Sequence, residues 1–408
     1  MRAILLALAA LAPFAAGAQE VRLHAGFQPH LATEVDLGFY AVGTTRATDR
    51  ARRGTSGFLY GEVAAGLHLA PGFSIQGVLA FEPIGEGDAL GGSPDGGVTG
   101  FRRQSAFLEA LFAEWRPTED LTLQAGRFVA PFGRGHHDFP GILTRIRAHE
   151  VYAITDSLGG AATYTFLSDP VLGEHDISAA VFTLDRTALS STFATRRRCC
   201  DERYERFNRN TRQQGGPANT GQADNAAIAL DGDGFAWAPG LSYHLGVLTR
   251  GAGDDGTARE WGYTIGLRYE QRWSPSQRSL FFAEGVQYRN AAARPRTEIT
   301  RLSLDPDTGD EIEEILGTSI RERRSFTTLG VQHRSGEWRG TLAWQRDQRK
   351  RSVENLPTEN YVEASIGTDL PYNFTIDAGY QYGRYAREDE PGLGTSHALL
   401  FRLGWRGL

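Results

Sequence analysis

Lysine, methionine, cysteine and long apolar runs are all scarce in this 408-residue chain. Lys350 is the single lysine, so every other cation among the 43 Lys+Arg is an arginine, and Met1 is the one methionine. The two cysteines, Cys199 and Cys200, are adjacent and cannot bridge distant segments, which excludes a disulfide-stapled scaffold. Beyond the first eighteen residues no apolar run approaches the ~20 residues of a membrane-spanning helix. Mean hydropathy is −0.36, so a helical membrane protein is excluded as well. The net charge of −6 comes without any long basic block, and nucleic acid is not an expected partner. Nucleophile-elbow, phosphate-loop, dinucleotide and zinc-protease motifs are all missing, so neither an enzyme nor a cofactor is expected.

Glycine and aromatic residues are abundant, with Gly 49 and aromatics at 11%, the mark of sheets with many turns. Met1-Arg2, the uncharged stretch Ala3 to Phe14 and the triplet Ala16-Gly17-Ala18 fit a cleaved secretory signal over residues 1–18. A short periplasmic segment, 19–30, is expected to follow, and then one domain over 31–408.

That domain alternates. Leu31, Thr33, Val35, Leu37 and Phe39 share one face, with Glu34, Asp36 and Gly38 on the other. Trp261, Tyr263, Ile265, Leu267 and Tyr269 repeat the pattern, as do Phe374, Ile376, Ala378 and Tyr380. Tight turns such as Ala70-Pro71-Gly72 and Ser335-Gly336 alternate with long polar connections, among them 83–101, 130–158, 187–224 and 291–319. Several segments exceed ten residues, longer than the ~5–6 of soluble strands and matched to the ~9–11 that span a bilayer. Taking Asn225 to Trp237 as a strand brings the count to sixteen and places both termini in the periplasm. The expected fold is an all-β transmembrane antiparallel barrel of about 16 strands, with short periplasmic turns and long extracellular loops.

The stretch from Phe107 to Gly133 carries Leu121, Leu123, Ala125, Gly126, Arg127, Pro131, Phe132 and Gly133. It resembles the phosphate-selective porins and the siderophore porins of the outer membrane of Gram-negative bacteria. The resemblance implies an outer-membrane channel in contact with the lipid bilayer, and a homotrimer as the assembly. Phosphate-selective relatives use basic ladders that include lysines, whereas this chain offers arginines. Sixteen-stranded porins typically fold the third outside loop inward, which by position points to 130–158 as a constriction.

Parity places Glu34, Asp36, Glu62 and Glu82 inside the barrel on early strands, and Arg268, Arg272, Arg339, Arg402 and Arg406 inside on later ones. Separated rows of opposite charge would set a field across the pore. The constriction segment holds Arg134, His136, His137, Asp138, Arg145, Arg147 and His149, and 142–153 could form a short helix. Strict alternation would turn Arg127 to the lipid, so a bulge at Gly126 is expected to bring it inward. His136, His137 and His149 with Asp138 are imidazole and carboxylate groups of the metal-binding kind, and Asp305, Asp307, Asp310 and Glu311 are of the calcium-binding kind. Neither set has a recognised ligand spacing, and no metal is expected. Trp115, Trp273, Trp338 and Trp405 are expected in the interfacial girdles. The function this supports is passive diffusion of small hydrophilic solutes, with anions among the candidates. The alternatives are selective uptake of phosphate-type anions or siderophores, and a surface adhesin or receptor barrel.

Overall fold

A computed structural model describes residues 27–83, 97–101, 104–134, 139–195, 209–251, 253, 259–291, 299–304, 311–317, 321–352, 355–387 and 392–407. The signal segment 1–18 lies outside the described residues, as do His136, His137, Asp138, Cys199, Cys200, Asp305, Asp307 and Asp310.

Sixteen strands form one closed antiparallel barrel. The first eight are β1 (His30–Ala47), β2 (Gly54–Ala70), β3 (Phe73–Pro83), β4 (Gln104–Trp115), β5 (Leu121–Ala130), β6 (Ile154–Asp169), β7 (Gly173–Leu184) and β8 (Asn225–Asp233). The second eight are β9 (Leu241–Arg250), β10 (Glu260–Ser274), β11 (Gln277–Arg289), β12 (Glu322–Ser335), β13 (Trp338–Arg351), β14 (Glu359–Asp369), β15 (Phe374–Ala386) and β16 (Leu393–Gly407). Each strand pairs with its chain neighbours, and β1 closes on β16 with Val35 beside Gly407 and Ala47 beside Ser396.

The expected alternation holds. Exposed Ile265, Leu267, Leu342, Ile366 and Leu399 line the outer wall, while buried Thr264, Thr341, Glu363 and Ala398 point in. The least regular segment does become a strand, β8, but it stops at Asp233 rather than Trp237. Gly234 then enters the left-handed region at φ 72°, and Phe235 to Trp237 form the turn. Long connections hold short pieces that alternation did not reveal. Val98–Gly100 pairs parallel to β2, Thr192–Thr195 pairs with β4, and Ile299–Leu304 with Glu311–Gly317 makes a separate hairpin.

Trp115, Trp273, Trp338 and Trp405 are all exposed, and all four sit at the short-turn ends of their strands. They therefore form one girdle rather than two. Trp261, at the start of β10, marks the opposite rim.

Strands β4 and β5 pair only from Leu111 to Trp115; above that, Thr192–Thr195 takes the place of β5 beside Ser105 to Phe107. The register breaks on the two sides of this gap fall at Glu109, between Val78 and Leu79 on β3, and at Val129. Gly126 itself stays in register with Phe112 and Gly159, so the expected bulge lies elsewhere. Gly126 is still required. Its φ is 139°, and a Cβ there would sit 2.4 Å from the Leu111 carbonyl oxygen. Gly126→Ala is expected to cost about 1–3 kcal/mol through strain, read as a lower unfolding midpoint in urea.

Candidate functional site

The chain leaves β5 through Pro131-Phe132-Gly133 and turns into the barrel. Gly133 packs so tightly on the loop's far end that a Cβ would lie 2.7 Å from that of Tyr152. The segment then forms helix α1 (Leu143–Tyr152). Its apolar side chains enter two interior clusters. Ile142, Leu143 and Ile146 pack with Tyr40, Phe58 and Leu400, and Val151 and Tyr152 pack with Phe132, Phe139, Phe282 and Phe326. A helix buried on nearly every side has no single apolar face, which is why its periodicity is weak in the sequence.

Polar groups on the inner wall complete the docking. Glu363 on β14 accepts the backbone N–H groups of Ile142, Leu143 and Thr144, and the Thr144 hydroxyl at 3.1 Å. A carboxylate at a helix N-terminus satisfies orphan donors and complements the helix dipole. Gln345 on β13 donates to the Thr144 carbonyl at 2.9 Å. At the other end the Tyr152 hydroxyl donates to the Glu284 carbonyl, and the Tyr288 hydroxyl donates to that of Val151. The Arg147 guanidinium lies 3.5 Å over the Tyr361 ring. Strands β11, β13 and β14 thus hold a loop that leaves the barrel at β5 and rejoins it at β6.

Arg145 leads from α1 into a charge network on the wall from β12 to β16 and on to β1. Asp36 accepts from Arg145 at 3.1 Å, Arg406 at 3.0 Å and Arg402 at 3.5 Å. Arg402 also reaches Asp377 at 3.3 Å. Arg339 donates to both Asp377 oxygens at 2.9 and 2.8 Å, and to Asp369, which Arg334 also pairs. Five guanidiniums therefore share three carboxylates. Burial alone would lower the Arg145 pKa, but Tyr40 and Asp36 outweigh it and the net shift is upward.

Across the barrel by strand order, β7 and β8 present Glu174, Asp176, Asp231 and Asp233 to a cavity of about 310 Å³. Arg134 and His244 also line it, with Arg134 3.4 Å from Asp231. His244 Nδ1 meets Asp231 at 2.9 Å and its Nε2 donates to the Phe132 carbonyl at 2.5 Å. The nitrogen a hydrolase would aim at a nucleophile is thereby occupied.

The sequence expectation of an acidic early wall and a basic late wall is corrected in one respect. Asp36 lies inside the arginine network, because barrel closure sets β1 against β16; the carboxylates opposite the arginines are on β7 and β8, which parity had not singled out. Glu34 is exposed, and Arg268 and Arg272 share Glu270 with Arg278. Arg127 is also corrected. It is 1% exposed and sits in the gap between β4 and β5, ion-paired to Asp156 and, at 2.5 Å, to Asp185. It presents no charge to solvent.

Glu62, Glu109 and His149 bring ligand atoms within 4.8 Å of one another, the one such trio among the described residues. Of the three histidines of the inward segment, His149 lies among the described residues. Glu363, Gln345, Asp377 and the β7–β8 carboxylates went unrecognised in the sequence. Each is a polar residue between outward-facing neighbours, a signal that gives the face but not the partner.

A closed barrel of sixteen strands, with its third outer loop folded inside and charge lining the interior, is a porin barrel in architecture. No protein-family model matches the chain, and no curated protein matches it. Among solved structures, it is similar to OprB of Pseudomonas putida, with a TM-score of 0.57 and 9% identity over 92% of this chain and 94% of that one. It is also similar to the outer membrane channel DcaP of Acinetobacter baumannii, with a TM-score of 0.54 and 9% identity over 93% and 97%. At such identity the likeness is one of fold.

Proposed function

We propose that this protein is an outer-membrane porin through which small hydrophilic solutes diffuse down their gradient. The observation that carries the proposal is α1 held inside the barrel against an arginine-rich wall, in a loop whose first residues, Pro131 to Arg134, line an acidic cavity on β7 and β8. Sixteen strands enclose more space than side chains can fill, so an inward-folded segment narrows a channel rather than completing a core. Residues 130–158 are then the constriction, with Arg134, Arg145 and Arg147 contributed by the loop and Arg339, Arg402 and Arg406 by the wall. Opposed charge at a constriction orients dipolar solutes and favours those that satisfy both walls. With five guanidiniums against three carboxylates, solutes bearing negative charge are expected to follow the arginine side.

Guanidinium forks suit carboxylate and phosphate groups. That chemistry supports uptake of phosphate-type anions or siderophores as the narrower reading, with a homotrimer as the assembly. Single-channel conductance of the refolded protein in planar bilayers, with the reversal potential in a salt gradient, tests the proposal. Stepwise openings with anion preference are expected; a folded barrel that passes no current would defeat it. Asp36→Asn removes the carboxylate shared by three arginines and is expected to move the reversal potential further towards anions. An unchanged potential would mean that this network does not face the permeating ion.

A further inference from the structure

We propose that the outer wall carries a docking surface for the phosphate groups of outer-leaflet lipid, on an arc from β11 to β1. The proposal rests on the outer-membrane reading above, which sets the long-loop end of the barrel at the cell surface. Six cations lie on outward positions there: Arg289, Arg323, Arg346, Lys350, Arg384 and Arg46. Register makes them neighbours. Arg289 pairs with Arg323 and Arg323 with Lys350, Asn360 lies between Arg346 and Arg384, and Arg46 meets His397 next to β15.

All six are exposed, and none forms an ion pair with a described residue. The acids of these strands, among them Glu284, Glu322, Asp347, Glu359, Glu363 and Asp377, have the opposite parity and face inward. Outward positions on β2 to β10 carry no exposed Arg, Lys, Asp or Glu among the described residues. The single lysine of the chain falls within this arc.

Height identifies the occupant. At about 3.4 Å per residue and a tilt of about 40°, Arg346 stands roughly 21 Å and Lys350 roughly 31 Å above the girdle residue Trp338. The apolar band of such barrels is about 25 Å tall, so the two straddle its outer edge. Trp261, level with Arg289 in the register, marks the same edge from the aromatic side. Cations turned outward at headgroup depth, with no carboxylate among them, match phosphorylated headgroups; a solute in the pore cannot reach them. Guanidiniums meet phosphate with paired hydrogen bonds, and clustered charge adds to the attraction.

Native mass spectrometry of the folded full-length barrel in neutral detergent tests this, with diphosphorylated glucosamine-disaccharide lipid and its dephosphorylated form as probes. Wild type is expected to retain the phosphorylated lipid at least tenfold better, and the margin should shrink as salt is raised. The six-residue glutamine variant should lose that margin while keeping its single-channel conductance. R323Q/R346Q/K350Q, which alters two strands only, should lose most of it. Equal retention of both lipids by wild type overturns the proposal, and needs no variant to fold. Loss of oligomer rather than lipid in the variants also overturns it, since the arc would then bind protein. A barrel that discriminates the lipids yet passes no current would sink the channel reading and leave this one standing.

Discussion

Glu363→Ala is expected to release the loop from the inner wall and raise the unit conductance, with added open-state noise. The carboxylate holds three backbone N–H groups and a hydroxyl where α1 begins. Removing it leaves those donors to be rescued by water, at a local cost of about 3 kcal/mol. The strands stay paired, since no ladder bond depends on Glu363's side chain, so the unfolding midpoint should move far less than the conductance. Glu363→Gln keeps an acceptor oxygen without the charge and should fall between the two. Wild-type current from the alanine variant would mean that residues 130–158 do not limit the pore.

Arg127→Met is expected to have the opposite signature, with large destabilisation and unchanged permeation. Its removal leaves Asp185, which is fully buried, and the partly buried Asp156 without their cation at the gap between β4 and β5. Breaking a buried pair from one side costs about 3–5 kcal/mol. The midpoint of urea unfolding should fall accordingly, while the reversal potential holds, because the guanidinium touches no solvent. Arg127→Lys should recover little, since one ammonium cannot serve two carboxylates in the fork geometry. A shifted reversal potential in a stably folded variant would place Arg127 in the pore after all.

The contrast between these two residues shows what the sequence could and could not convey. Strand alternation is a period-two property of neighbouring residues, so the inward face of Glu363 and the outward face of Val362 are legible without coordinates. The sixteen strands follow from that rule and from the turns, even where β8 alternates poorly. The partner of Glu363 is set by where a loop 220 residues earlier comes to rest, and no local pattern encodes that. Arg127 was misplaced for a related reason. Its surroundings depend on β4 and β5 parting company, with the register breaks at Glu109 and Val129 rather than at the glycine. Asp36 was assigned to the correct face but the wrong neighbours, because barrel closure joins the first strand to the last.

That closure also governs how the barrel can form. Between the sixteen barrel strands every other seam joins strands consecutive along the chain, whereas the β1–β16 seam joins Val35 to Gly407 and cannot begin to zip until the intervening strands have emerged. Contacts so remote in sequence carry the largest loop entropy and reward the chain last. Until then both margins of the growing sheet expose unpaired backbone groups, a state that invites pairing with other chains. Arg402 and Arg406 on β16 reach Asp36 on β1 across this seam, so the same ionic latch can also report, during assembly, that the two ends have found each other.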